Sequence, residues 1–136
     1  MSAAIEELIP HRPPMRWVDD LVECTETTAT VTTRFTPGHF AVSNGAVTET
    51  ALVECVAQTV ASALGQRLRA GGKSGAANQG MLAAVSNFKI VSLPPLDKTV
   101  TISVREVKRL GPMLLIAATI SCEGQTIATG ELSLYA

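Results

Sequence analysis

The chain has 136 residues, of which 46% are hydrophobic and 17% charged, with a formal net charge of -1 at pH 7. That composition excludes a disordered chain, gives no reason to expect nucleic acid or an anionic membrane as partner, and suits one domain over residues 1–136. Three cysteines, Cys24, Cys55 and Cys122, lack any Cys-x-x-Cys spacing, which argues against a disulfide framework or zinc site and fits a reducing compartment.

Residues Met1 to Leu8 carry two glutamates and no basic run, so they do not read as a signal peptide; a short helix closed by Pro10 is expected instead. The longest apolar stretch, Met113 to Ile120, is too short to span a bilayer, and a cytoplasmic, soluble protein is expected. Arg16–Cys24 and Thr28–Phe35 read as strands, the second alternating Ala29, Val31, Thr33 and Phe35 with polar residues. Thr36-Pro37-Gly38 breaks that strand, and Ser43-Asn44-Gly45 is a second turn.

One long helix is predicted over Val47–Arg69, with apolar residues on almost every face, as in a helix that other elements cover. Ala70 to Asn78, rich in glycine, reads as a loop. Strands follow at Met81–Val91, Thr99–Lys108, Met113–Cys122 and Thr126–Tyr135, separated by turns at Pro94-Pro95, Gly111-Pro112 and Glu123-Gly124-Gln125. In the last two strands Leu114, Ile116, Ala118, Ile120 and Cys122 share one face, as do Ala128, Gly130, Leu132 and Leu134. One covered helix followed by an antiparallel meander predicts an α+β fold, a curved antiparallel sheet wrapped around one long central helix. That is the hotdog shape.

The helix keeps a polar stripe: Thr50, Glu54, Gln58, Ser62 and Gln66 recur every four residues. A glutamate at the centre of a buried helix is costly without a partner. The stripe either meets solvent or a subunit interface, or holds a carboxyl for acid chemistry. Just ahead of the helix, Gly38-His39-Phe40 places an imidazole between a strand end and a turn. A histidine base and a carboxyl acid are the pair that a 1,2-elimination needs, one removing a proton and the other protonating the leaving hydroxyl.

Pro10-His11-Arg12-Pro13-Pro14-Met15 followed by Val18-Asp19, Phe35-Thr36-Pro37-Gly38-His39-Phe40, Glu54-Cys55-Val56-Ala57-Gln58 and Ser86-Asn87-Phe88-Lys89-Ile90 occur in that order. Over most of its length the chain thereby resembles the 3-hydroxyacyl-[acyl carrier protein] dehydratases, the FabZ-like branch of the hotdog superfamily. The resemblance implies that His39 is the base and Glu54 the acid, meeting across a dimer interface, with Gly38, Phe40, Thr50 and Gln58 around the substrate. It further implies an acyl carrier protein or CoA thioester as substrate, a homodimer with shared sites, a larger assembly or a hetero-pair with another hotdog subunit, and no cofactor. Fatty acid, polyene or polyketide-type synthesis would be the setting. Two departures stand out. Thr48 and Glu49 occupy the places of the family's Pro-Gly, and the interval from His39 to Glu54 is one residue longer than the family pattern. They bear on dehydratase activity and leave the fold untouched.

Other candidates have plainer readings. His11 sits in a proline-rich turn as a structural hydrogen-bonding residue. Glu49 suits a first helical turn, where a carboxylate favours the dipole, and lies well round the helix from Glu54. Cys55 reads as a small apolar residue rather than a nucleophile. Arg67, Arg69, Lys73, Lys108 and Arg109 form either a solvated face or a dock for an acidic carrier protein. No His/Cys/Asp cluster has metal-ligand spacing and there is no phosphate loop, so no metal or organic cofactor is expected. Two alternative functions remain: an acyl-thioesterase, and a non-catalytic acyl-binding or partner subunit of a dehydratase.

Overall fold

The computed structural model describes residues 4–72 and 81–135. In chain order the elements are α1 (Ile5–Leu8), β1 (Asp20–Cys24), β2 (Thr28–Arg34), β3 (Val42–Ser43), β4 (Ala46–Val47), α2 (Glu49–Ala70), β5 (Met81–Ile90), β6 (Thr99–Leu110), β7 (Met113–Cys122) and β8 (Gln125–Tyr135). Six strands form one antiparallel sheet in the order β1-β2-β6-β7-β8-β5. The chain leaves the sheet after β2 and re-enters it at the far edge as β5, and α2 lies in the interval. A long helix packed on an antiparallel sheet is the expected α+β hotdog arrangement.

Alternation along the strands decides which face meets the helix. Leu114, Ile116, Ala118, Ile120 and Cys122 of β7 are buried, as are Ala128, Gly130, Leu132 and Leu134 of β8. Val100, Ile102 and Val104 of β6 and Ala29 and Val31 of β2 continue that layer. Against it α2 buries Leu52, Cys55, Val56, Thr59, Val60 and Ala63. Val53, Ala57, Ala61 and Leu64, on another face of the helix, stay only half-buried.

Most strand and helix ends fall within two residues of the sequence reading, and two starts differ for a visible reason. β1 begins at Asp20 rather than Arg16, because the amides of Trp17 and Val18 turn toward α2 and bond to a helix side chain instead of extending the ladder. The helix begins at Glu49 rather than Val47, because Val47 pairs with Val42 in a small hairpin. Asn44 (φ 55°) and Gly45 (φ 77°) make that hairpin's turn, where two consecutive positive φ values fit a tight two-residue connection. Of the expected loop at 70–78, Ala70 ends the helix, Gly71 and Gly72 turn, and the remainder lies outside the described residues. The same holds for the first three residues of the expected N-terminal helix.

α1 packs on α2 so closely that a Cβ at Gly65 would strike the backbone of Leu8. In an open helix, Gly→Ala is favourable by about 1 kcal/mol. Here the sign reverses, since neither backbone can yield cheaply. We expect Gly65→Ala to lower stability by about 1–3 kcal/mol, read from urea midpoints.

Candidate active site

His39 stands in the turn between β2 and the β3–β4 hairpin. Its N–H donates to the Thr36 carbonyl at 2.9 Å and its own carbonyl accepts from the Val42 amide at 3.0 Å. The ring lies edge-on to Phe35 (centroids 5.0 Å apart) and to Trp17 (6.2 Å), and its Nδ1 accepts a hydrogen bond from the Ala41 amide at 3.0 Å. Burial pushes the imidazole below its ordinary value, with the Asp19 charge opposing.

Glu54 lies on the polar stripe, one turn before Gln58. The stripe is graded: Thr50 is exposed, Glu54 and Gln66 are half-buried, and Gln58 and Ser62 are fully buried. Glu54 is therefore not a buried carboxyl in the single chain; its side chain is 39% exposed. One Glu54 oxygen accepts from Gln58 Nε2 at 3.0 Å and lies 3.5 Å from His11 Nε2. The imidazole beside Glu54 within the chain is thus that of His11, which sequence reading placed in a purely structural role. Its other nitrogen, Nδ1, is buried and has no hydrogen-bond partner among the described residues. Among the described residues, His39 and Glu54 form no hydrogen bond or ion pair with each other.

Gln58 is the tie between these parts. Its Oε1 accepts from the Trp17 and Val18 amides at 2.8 and 3.3 Å, and its Nε2 donates to the Met15 carbonyl at 2.8 Å as well as to Glu54. A side-chain amide has two N–H donors and an oxygen with two lone pairs, so these four bonds leave nothing for a ligand. Gln58, expected to contact substrate, spends its side-chain hydrogen bonds within the chain. Of the other expected substrate contacts, Gly38 and Thr50 are exposed, and Phe40 is 62% exposed with its ring 6.4 Å from Trp17.

Glu49 is exposed in the first helical turn, and the Thr48 side chain makes no capping bond. Cys55 is buried and burial pushes its thiol far up, as an inert packing residue requires. The basic residues are partly engaged within the chain: Arg67 donates to the Thr25 carbonyl, Arg69 pairs with Glu7 and Arg109 with Glu106. Lys73 lies outside the described residues. Among the described residues no group of three or more His, Cys, Asp or Glu side chains is placed to hold a metal ion.

Residues 3–136 match the ApeP-like family, described as ApeP dehydratase. The chain belongs to that family. None of the curated proteins matches the sequence. Among solved structures it is similar to the dehydratase heterocomplex ApeI:P from Xenorhabdus doucetiae, at 16% identity and a TM-score of 0.89, over 99% of this chain and 91% of that one. A hypothetical thioesterase with coenzyme A from Streptococcus pneumoniae gives a TM-score of 0.66 at 15% identity, over 85% and 83% of the two chains. The PaaI protein of E. coli gives 0.65 at 13% identity, over 86% and 82%. At these identities the structures attest the shared hotdog fold.

Two outcomes follow for the site. Gln58→Leu strands the Trp17 and Val18 amides and should lower stability by at least about 2 kcal/mol in urea denaturation. Because the folded His39 ring favours its neutral form, its contribution is whole above the ordinary value of 6.5 and is lost as pH falls from there through the lowered one. The urea midpoint of the wild type should therefore drop further between about pH 7.5 and about pH 5 than that of His39→Gln.

Proposed function

We propose that the chain dehydrates 3-hydroxyacyl thioesters, carried on acyl carrier protein or CoA, to trans-2-enoyl thioesters in fatty acid, polyene or polyketide-type synthesis. His39 and Glu54 are the reacting groups, contributed by two subunits of a homodimer or of a pair with another hotdog chain. The observation that carries this reading is a half-buried carboxyl that accepts from Gln58 and lies 3.5 Å from His11 Nε2, where the helical stripe passes from exposed Thr50 to buried Gln58 and Ser62. A merely solvated glutamate needs no such frame. Membership of the ApeP-like dehydratase family supports the reaction type.

A second subunit is supported by surfaces that one chain leaves bare. Among the described residues β5 pairs with β8 alone, which leaves its other edge open, and its Val85 is 42% exposed. An open ten-residue strand edge is what an added chain would close, and the half-buried apolar residues of α2 offer it further surface. The similar ApeI:P structure is itself a heterocomplex, which favours testing a hetero-pair. The thioesterase reading is favoured by the hotdog neighbour with coenzyme A; release of free thiol separates it from dehydration, which keeps the thioester intact.

The test supplies a 3-hydroxyacyl thioester to the chain, alone and mixed with a hotdog dehydratase partner, and follows the enoyl absorbance. Glu54→Gln and His39→Ala should each reduce the rate by about 10²-fold or more. A wild-type rate no greater than that of these variants, alone and mixed, sinks the dehydratase reading. Activity that appears only on mixing and survives both substitutions assigns the chain as a non-catalytic partner.

A further inference from the structure

We propose that His11 is a positioning residue for Glu54: it holds one carboxyl oxygen, Oε2, so that the other, Oε1, is the one presented to the substrate. This rests on the dehydratase reading and keeps the base and the acid that the resemblance implies. Two neighbours of the Glu54 carboxyl converge on the same atom. Gln58 Nε2 donates to Oε2 at 3.0 Å, and His11 Nε2 lies 3.5 Å from that same oxygen. Among the described residues Oε1 takes part in neither contact, and the side chain is 39% exposed. A carboxyl free at both oxygens turns easily about its terminal bond and exchanges them. With Oε2 held from two sides that exchange is hindered, and Oε1 keeps one direction.

The turn that carries His11 is itself anchored. Pro10 before it and Pro13 after it fix their backbone φ. Leu8 and Ile9 are fully buried just upstream. Arg12 Nη1 donates to the Ile9 and His11 carbonyls at 2.9 and 2.8 Å, and the Met15 amide donates to the Arg12 carbonyl at 2.8 Å. The Met15 carbonyl accepts from Gln58, so the turn is tied to α2 by the same side chain that meets Glu54. The imidazole thus reaches Glu54 from a backbone with little freedom.

The bonding of the ring argues against a role in the turn alone. A side chain kept to shape a turn satisfies backbone groups nearby, as Arg12 does. The His11 ring does otherwise: its Nδ1 is buried with no hydrogen-bond partner among the described residues, and its Nε2 faces a carboxyl 43 positions away. A neutral imidazole has one N–H and one lone pair, and an N–H on Nε2 gives Oε2 its second donor. At 3.5 Å the contact is longer than a formed N–H···O bond. Contacts around reacting groups are often long in this way before substrate closes the site.

The test uses the full chain in its active assembly. His11→Ala should lower kcat by about tenfold or more and leave KM within about threefold, because a misplaced reacting group slows the chemistry more than it weakens binding. His11→Gln, which can bring an amide N–H to the place of Nε2, should recover most of that loss. In a Glu54→Gln background, removing His11 should cost nothing further, since it acts through that carboxyl. Overturning results are a wild-type kcat in His11→Ala, a folded His11→Gln no faster than His11→Ala, or an equal loss in both backgrounds. Nitrogen NMR of histidine-labelled protein reads the contact without turnover and without any change at His11. The His11 Nε2 signal should carry the proton of the neutral ring and move on Glu54→Gln; a signal indifferent to that substitution overturns the proposal too. An inert wild type removes the dehydratase reading, and the spectra then decide by themselves whether His11 holds the carboxyl.

Discussion

Four hydrogen bonds to one buried amide hold this molecule's interesting parts in place. Gln58 reaches across from the central helix to the Met15 carbonyl and the Trp17 and Val18 amides, and also grips Glu54. Trp17 in turn gives the edge on which the His39 ring rests. The two candidate reacting groups lie on different elements, yet both are referenced to the same side chain. Loosening it would blur the carboxyl and the wall behind the imidazole together. Polar networks in a low-dielectric interior behave in this all-or-nothing way, because an unmatched buried group is so unfavourable.

Much of the architecture was legible because burial imposes periods. Leu114 through Cys122 and Ala128 through Leu134 alternate as strands facing a core must, and the near-uniform apolar character of α2 announced a covered helix. The Gly38-His39-Phe40 and Glu54-to-Gln58 segments were singled out by the helix's polar stripe and by resemblance. What escaped was long-range. Nothing local in Pro10-His11-Arg12 says that its imidazole swings to a glutamate 43 positions later, and the partners of Gln58 lie about 40 residues away. Periodicity tells which face a residue is on; it does not tell which polar atom on another element it meets.

The segment between β2 and α2 is where this chain differs most from the pattern it resembles. A hairpin turned by Asn44 and Gly45 accommodates the longer interval, so that Val47 ends a strand and Thr48 and Glu49 open the helix. An extra residue in a loop is cheap in entropy. The Ala41 N–H that reaches His39 belongs to this stretch.

The fit of Leu8 into the notch left by Gly65 also shapes how this chain can change over time. Loss of the α1 turn would empty the notch, and a methyl group at position 65 would then fill space and favour the helix. Each alteration is harmful by itself, while the two together partly compensate. A lineage that sheds its leading segment would accordingly acquire a bulkier residue at this position, and the two events would be inherited as a pair.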